Sequence, residues 1–139
     1  MNRQILSFEL DLDFILIAIT SQLKDYRLCY HINKELNADF RKINDYELSL
    51  FAGNEPLQFS QYFYQIKASE TEFYIIANHS ATGFLIPEMG KVNYFMLIKN
   101  HFDGEDLGNM ISRLKMIGNI KTVLQVNPKR IKSNENLLF

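Results

Sequence analysis

Residues 59–78 read Phe59-Ser60-Gln61-Tyr62-Phe63-Tyr64-Gln65-Ile66-Lys67-Ala68-Ser69-Glu70-Thr71-Glu72-Phe73-Tyr74-Ile75-Ile76-Ala77-Asn78. From Phe59 to Ile66 the pattern has period two, with Phe59 and Phe63 on one side and Tyr62, Tyr64 and Ile66 on the other, which predicts a strand. The polar link Ser69-Glu70-Thr71-Glu72 is too short for a crossover, so Phe73–Asn78 returns as the second arm of a hairpin. Outward from this pair, Asp45–Leu50 alternates Tyr46, Leu48 and Leu50 with Asp45, Glu47 and Ser49, then turns at Gly53-Asn54-Glu55-Pro56. On the other side, short strands at Phe84–Ile86 and Val92–Lys99 flank a tight turn at Pro87-Glu88-Met89-Gly90. Connections this short predict an antiparallel meander.

Two helices frame the meander. Over Ser21–Leu36, the residues Leu28, Ile32 and Leu36 recur at helical spacing with Cys29 widening the stripe, and Asn37-Ala38-Asp39 ends it. Over Asp103–Ile117, Asp103 is the N-cap with Asp106 three residues on, and Leu107, Met110, Ile111, Leu114 and Ile117 form the apolar stripe. Gly118-Asn119 predicts a left-handed stop, and Ile120–Val126 predicts a further strand. At the other end, Leu6–Asp13 alternates Leu6, Phe8, Leu10 and Leu12 with Ser7, Glu9, Asp11 and Asp13 as a strand with one wet face. A short helix over Phe14–Ile19, capped by Asp13, is expected to follow. Both amphipathic helices bury their stripes against one sheet face. The expected fold is α+β, a two-layer sandwich of a mainly antiparallel sheet and two principal α-helices. It forms one domain over residues 1–139, with 128–139 a basic and then apolar tail.

At 47% hydrophobic and 22% charged, the 139 residues carry enough apolar mass for an ordinary core, dominated by 11 Phe and 7 Tyr. One cysteine, Cys29, permits no internal disulfide. The longest apolar run, Phe14–Ile19, is far below the ~20 residues of a membrane span. The acids at Glu9, Asp11 and Asp13 also break any signal-peptide core. These features predict a soluble cytoplasmic protein. Charge is uneven: nine Lys or Arg face fifteen Asp or Glu up to Asp106, whereas six face one from Leu107 onward. Such a division steers acidic partners to one end, or is simply a set of solvated faces.

The chemistry-bearing residues are sparse. His31, His79 and His101 form no helical pair, and Cys29 and His31 point apart on a helix, so neither a metal nor another cofactor is expected. No Gly-rich phosphate loop or nucleophile elbow is present. Glu88, next to Pro87 in a rigid turn, either braces that turn or is presented to a ligand. Tyr62, Tyr64 and Tyr74 would form a stacking platform for unpaired bases if they shared a face, with Arg113, Lys115, Lys129 and Arg130 supplying backbone contacts. The apolar terminus Leu137-Leu138-Phe139 either folds back or enters a partner.

Three stretches together resemble a known family: Leu23–Asn33 (Leu-Lys-Asp-Tyr-Arg-Leu-Cys-Tyr-His-Ile-Asn), Leu85-Ile86-Pro87-Glu88 leading into Asn93-Tyr94-Phe95, and Lys132–Phe139. They are similar to the bacterial IPExxxDY family across nearly the whole chain. Ile86-Pro87-Glu88 stands, but Asn93 takes the place of the aspartate, and four residues rather than three separate it from Glu88. Asn keeps the hydrogen bonds of an aspartate but not its ionisation, which argues against an acid–base role there. The resemblance implies no activity, cofactor or catalytic residue.

These readings predict a non-enzymatic protein-binding or adaptor domain. Pro87, Glu88, Asn93 and Tyr94 would shape a contact surface, Leu137–Phe139 would complete the fold or dock, and a homodimer would form through a strand edge. An RNA-binding accessory protein is the alternative. A small enzyme using Glu88, His79 or His101 in a shared cleft is the other.

Overall fold

The computed structural model describes residues 12–49, 55–100, 102–137 and 139. Six strands make one antiparallel sheet: β1 (Ile15–Ser21), β2 (Arg41–Leu48), β3 (Leu57–Ile66), β4 (Thr71–Ala77), β5 (Tyr94–Lys99) and β6 (Ile120–Val126). Helix α1 (Asp25–Leu36) connects β1 to β2, and α2 (Gly104–Lys115) connects β5 to β6. The strand order is β2-β3-β4-β5-β1-β6, so the meander is present as expected and β1 inserts between its last strand and β6. Leu6–Asp13, apart from its last two residues, lies outside the described residues, as do parts of the turn at 53–56.

The largest correction is at Phe14–Ile19, which is not a helix. Residues Ile15–Ser21 are a strand paired on both sides, with Ile17 opposite Met96 of β5 and Gln125 of β6. An inner strand buried on both faces has no wet side, so its sequence runs continuously apolar and loses the alternation that marks half-buried strands. The pairing extends to Ser21, whose Oγ donates to Asn119 O at 2.7 Å, so α1 starts at Asp25 rather than Ser21. At the far end of α1, Asn37 takes the left-handed conformation (φ 54°) that ends the helix. Asp103 caps α2 by accepting from Asp106 N at 2.9 Å. Gly118, in contrast, does not adopt the left-handed turn. The chain leaves α2 through tighter bonds, Met116 N to Arg113 O and Ile117 N to Leu114 O.

Register sorts the side chains into two cores. On the helix side, Tyr62 lies opposite Ile75, Ile75 opposite Met96, and Met96 opposite Ile17. Leu28, Cys29 and Ile32 of α1 and Leu107, Met110 and Leu114 of α2 pack on this face. On the other side, Leu16, Ala18, Phe59, Ile76, Phe95 and Leu97 are covered by Leu85, Ile86, Ile131 and Leu137, none of which belongs to a strand or an α-helix.

Phe84–Ile86 is not a strand. Phe84 makes one isolated bridge to His79, and the loop from Asn78 to Asn93 is held by a side chain instead of a ladder. Asn78 is fully buried at the end of the β4 pairing. Its Oδ1 accepts from Ile86 N at 2.8 Å, and its Nδ2 donates to Met89 O and Val92 O, each at 2.9 Å. Its own N–H donates to Asn93 O, and its carbonyl accepts from Leu85 N. Removing the amide would leave Ile86 N–H, Met89 O and Val92 O without those partners in a poorly solvated place. Asn78→Ala is expected to lower unfolding free energy by about 3 kcal/mol, read from the urea midpoint.

Candidate functional site

The loop that carries Ile86-Pro87-Glu88 meets the C-terminal segment. Pro87 starts a 3-10 turn, its fixed φ suiting that first position, and this aims Glu88 at residue 133. Glu88 accepts from Ser133 N at 2.7 Å and from Ser133 Oγ at 2.8 Å. What burial the carboxyl has raises its pKa, but it is outweighed by its own backbone N–H, the two Ser133 donors and the charge of Lys132. The net effect holds Glu88 below the ordinary carboxylate value. Beyond Ser133, Asn136 Nδ2 donates to Leu85 O at 2.8 Å, and Tyr46 Oη donates to Asn136 O. Leu137 is 1% exposed. The Phe139 ring stacks on Tyr46 with centroids 4.7 Å apart and leans on Tyr74 at 5.1 Å, while Lys99 Nζ donates to its main-chain oxygen at 2.6 Å. The segment folds back and roofs the second face of the sheet. Leu138 lies outside the described residues.

Asn93 and Tyr94 bind the same loop to the end of β1 and to the link that leads into α1. Asn93 Oδ1 accepts from Ser21 N at 2.8 Å, a bond an aspartate would make equally. Tyr94 Oη donates to Leu23 O at 2.6 Å. Burial, then the Asp25 carboxylate, Cys29 and Tyr62, push the Tyr94 phenol well above its ordinary pKa, so it stays a neutral donor. The stretches 23–33, 85–95 and 132–139 are therefore fastened to one another. Pro87 and Glu88 remain at the surface, whereas Tyr94 and Leu137 are buried.

The tyrosine platform is not assembled. Tyr62 and Tyr64 face the helices, with Tyr62 only 8% exposed, whereas Tyr74 lies opposite Phe63 on the other face under Phe139. In this register the even-numbered residues of β3 share a side with the odd-numbered residues of β4, so Tyr74 falls on the face opposite Tyr62 and Tyr64. Arg113 hydrogen-bonds Glu35, Lys115 ends α2, and Lys129 and Arg130 sit in a 3-10 turn after β6. Of these seven residues, Tyr64 and Arg113 come to one place, an apolar hollow of about 320 Å³ walled by Phe40, Phe73 and Phe102.

Glu88 and His79 line different hollows. His79 borders a polar one of about 340 Å³ with Lys24, Asp25, Ser60 and Tyr94; Glu88 borders another beside β6. His101 lies outside the described residues. Burial, reinforced by Asp25 and opposed by Lys42, pushes the Cys29 thiol up to about 12, so it packs as a protonated small hydrophobe. Among the described residues, no group of three His, Cys, Asp or Glu could hold a metal ion, and no helix is long and apolar enough to cross a membrane.

One surface feature escaped the sequence reading. Tyr26 and Tyr30 stand one turn apart on the outer side of α1, each 60% exposed. Their i, i+4 spacing, out of phase with the Leu28, Ile32 and Leu36 stripe, was the signal.

The fold and this loop define an α+β sandwich whose second face is closed by its own C-terminal segment. Compared with protein-family models and with curated proteins, the chain matches none.

Because Glu88 is held below its ordinary value of 4.5, its contribution is complete above that value and lost as pH falls through the lowered pKa. The stability gap between the native chain and Glu88→Gln is therefore expected to be widest near neutrality and to narrow in acid, as read from urea midpoints across pH. Leu137→Ala is expected to cost about 3 kcal/mol by the same measurement, since it opens a cavity under the roof.

Proposed function

We propose that this chain is a non-enzymatic protein-binding domain of the bacterial cytoplasm, an adaptor of the IPExxxDY type. The observation that carries this reading is the exposed pair Tyr26 and Tyr30 on α1. Tyrosine supplies large, rigid contact area together with a hydroxyl, and it is enriched where proteins meet. Arg27 and Lys34 lie on the same exposed helix and give the patch a basic rim. The signature residues Glu88, Asn93 and Tyr94 support the reading indirectly. Their hydrogen bonds are spent within the fold, so they act as a frame that ties the loop to the C-terminal segment, to β1 and to the chain entering α1 rather than as reacting groups.

The test is capture from the native cell with and without nuclease, comparing the natural chain with the Tyr26→Ser/Tyr30→Ser double variant. Proteins retained after nuclease treatment are expected to be lost from the variant, with thermal unfolding little changed because both side chains are largely solvated. Retention unchanged by the substitutions would refute the reading. RNA recovered and lost on nuclease treatment, together with every protein, would move the function to RNA.

A further inference from the structure

The two outer strands of the sheet are unlike. β2 is guarded against further pairing: its register breaks between Ile43 and Tyr46, and Lys42 pairs with Asp45 along it. β6 pairs regularly with β1 from Thr122 to Val126 and has no strand on its other side among the described residues. Alternation identifies its outward main chain. Asn93 N donates to Ile19 O at 3.1 Å, so Ile19 directs its main chain toward β5, and Leu16, Ala18 and Thr20 direct theirs toward β6. Their partners Val126, Leu124 and Thr122 are satisfied by β1, which leaves the N–H and C=O of Val123 and Gln125 on the free edge. None of residues 122–126 is charged. Leu124, opposite Ala18 on the roofed face, is 61% exposed. A hollow of about 470 Å³ beside Leu124 and Val126, walled by Met89 and Ile131, continues that face outward.

We propose that β6 pairs antiparallel with β6 of a second copy of this chain, about a two-fold axis at Leu124. The regular stretch 122–126 is centred on Leu124, so this axis uses all of it. Val123 and Gln125 of each copy then exchange main-chain hydrogen bonds with the partner's Gln125 and Val123, and every outward group of the stretch is satisfied. On the roofed face Leu124 meets the partner's Leu124, and Val126 meets the partner's Thr122, both over the larger hollow. An axis at Val123 would instead draw in the register shift beside Lys121 and set Leu124 against Thr122. Charge favours the same arrangement. Lys115 and Lys121 border the start of β6, and antiparallel pairing sends those of the two copies to opposite ends of the contact, so like charges are not opposed. One patch supplies both halves, and the contact closes at two copies. A contact this short predicts a dimer that dissociates on dilution. The inference does not rest on a partner docking at α1.

Sedimentation of the full-length natural chain over a dilution series is expected to show a dimer giving way to monomer. Leu124→Lys sets two like charges across the axis and is expected to weaken the dimer at least about tenfold. Leu124 is largely solvated, so thermal unfolding of that variant stays close to that of the natural chain. Leu124→Cys, treated with oxidised glutathione, is expected to give a disulfide-linked dimer, because an axial pair without main-chain bonds brings its Cα atoms to about 4.5 Å. Thr122→Cys is also at the surface but lies roughly 13 Å from the partner's residue 122, and it stays reduced. Cys29 is buried and takes no part. In the natural chain the amides of Val123 and Gln125 are expected to exchange more slowly as concentration rises, which decides the matter should a variant fail to fold. A monomer at every concentration would overturn the proposal, and edge amides protected in that monomer would mean that another part of the chain covers β6. A dimer left intact by Leu124→Lys would overturn it and place the contact elsewhere, and equal linking of the two cysteine variants would overturn the axis at Leu124.

Discussion

The buried side chain of Asn78 is the constraint on which the rest of the second face depends. A loop of sixteen residues joins β4 to β5, and it must cross a sheet face where its backbone polar groups have little access to water. Asn is suited to this because one amide offers an acceptor and two donors in a plane. It meets one N–H and two carbonyls of that loop at 2.8–2.9 Å, so the loop keeps its hydrogen bonds without becoming a strand. Leu85 and Ile86 are thereby pressed into the core, and the turn at Pro87 projects Glu88 outward to meet Ser133.

From that point the C-terminal segment is placed by successive contacts. Glu88 holds Ser133, Leu85 O holds Asn136, and Tyr46 and Tyr74 receive Phe139. The sheet is buried on both sides, but by different means. Two helices with continuous apolar stripes cover one face, and irregular chain with a few inserted side chains covers the other. The irregular roof relies on specific polar contacts because it has no internal ladder to satisfy its backbone.

The same arrangement brings Glu88, Asn93 and Tyr94 together as fastenings of one loop. Glu88 ties the loop to the C-terminal segment, Asn93 ties it to β1, and Tyr94 ties it to the start of α1. Each uses its polar atoms for main-chain or serine partners within the molecule. Of the three, Tyr94 fixes the chain just before α1, whose outer side carries Tyr26 and Tyr30.

The sequence by itself determined the elements whose pattern reflects one wet face. The β3–β4 hairpin was legible from the alternation of Phe59–Ile66 and its short turn, β5 from the tight turn before it, both helices from their stripes, and the cap of α2 from Asp103. The common helix-side layer followed from two stripes needing one apolar face. Only the tertiary structure decided the state of Phe14–Ile19, because an apolar run buried on both faces carries no periodicity to distinguish strand from helix. It also decided that Tyr74 faces away from Tyr62 and Tyr64, a matter of hairpin register that composition cannot express. The role of Asn78 was equally hidden. A single polar residue at a strand end reads as a boundary, and its hydrogen bonds exist only once the chain between Ile86 and Val92 has been folded around it.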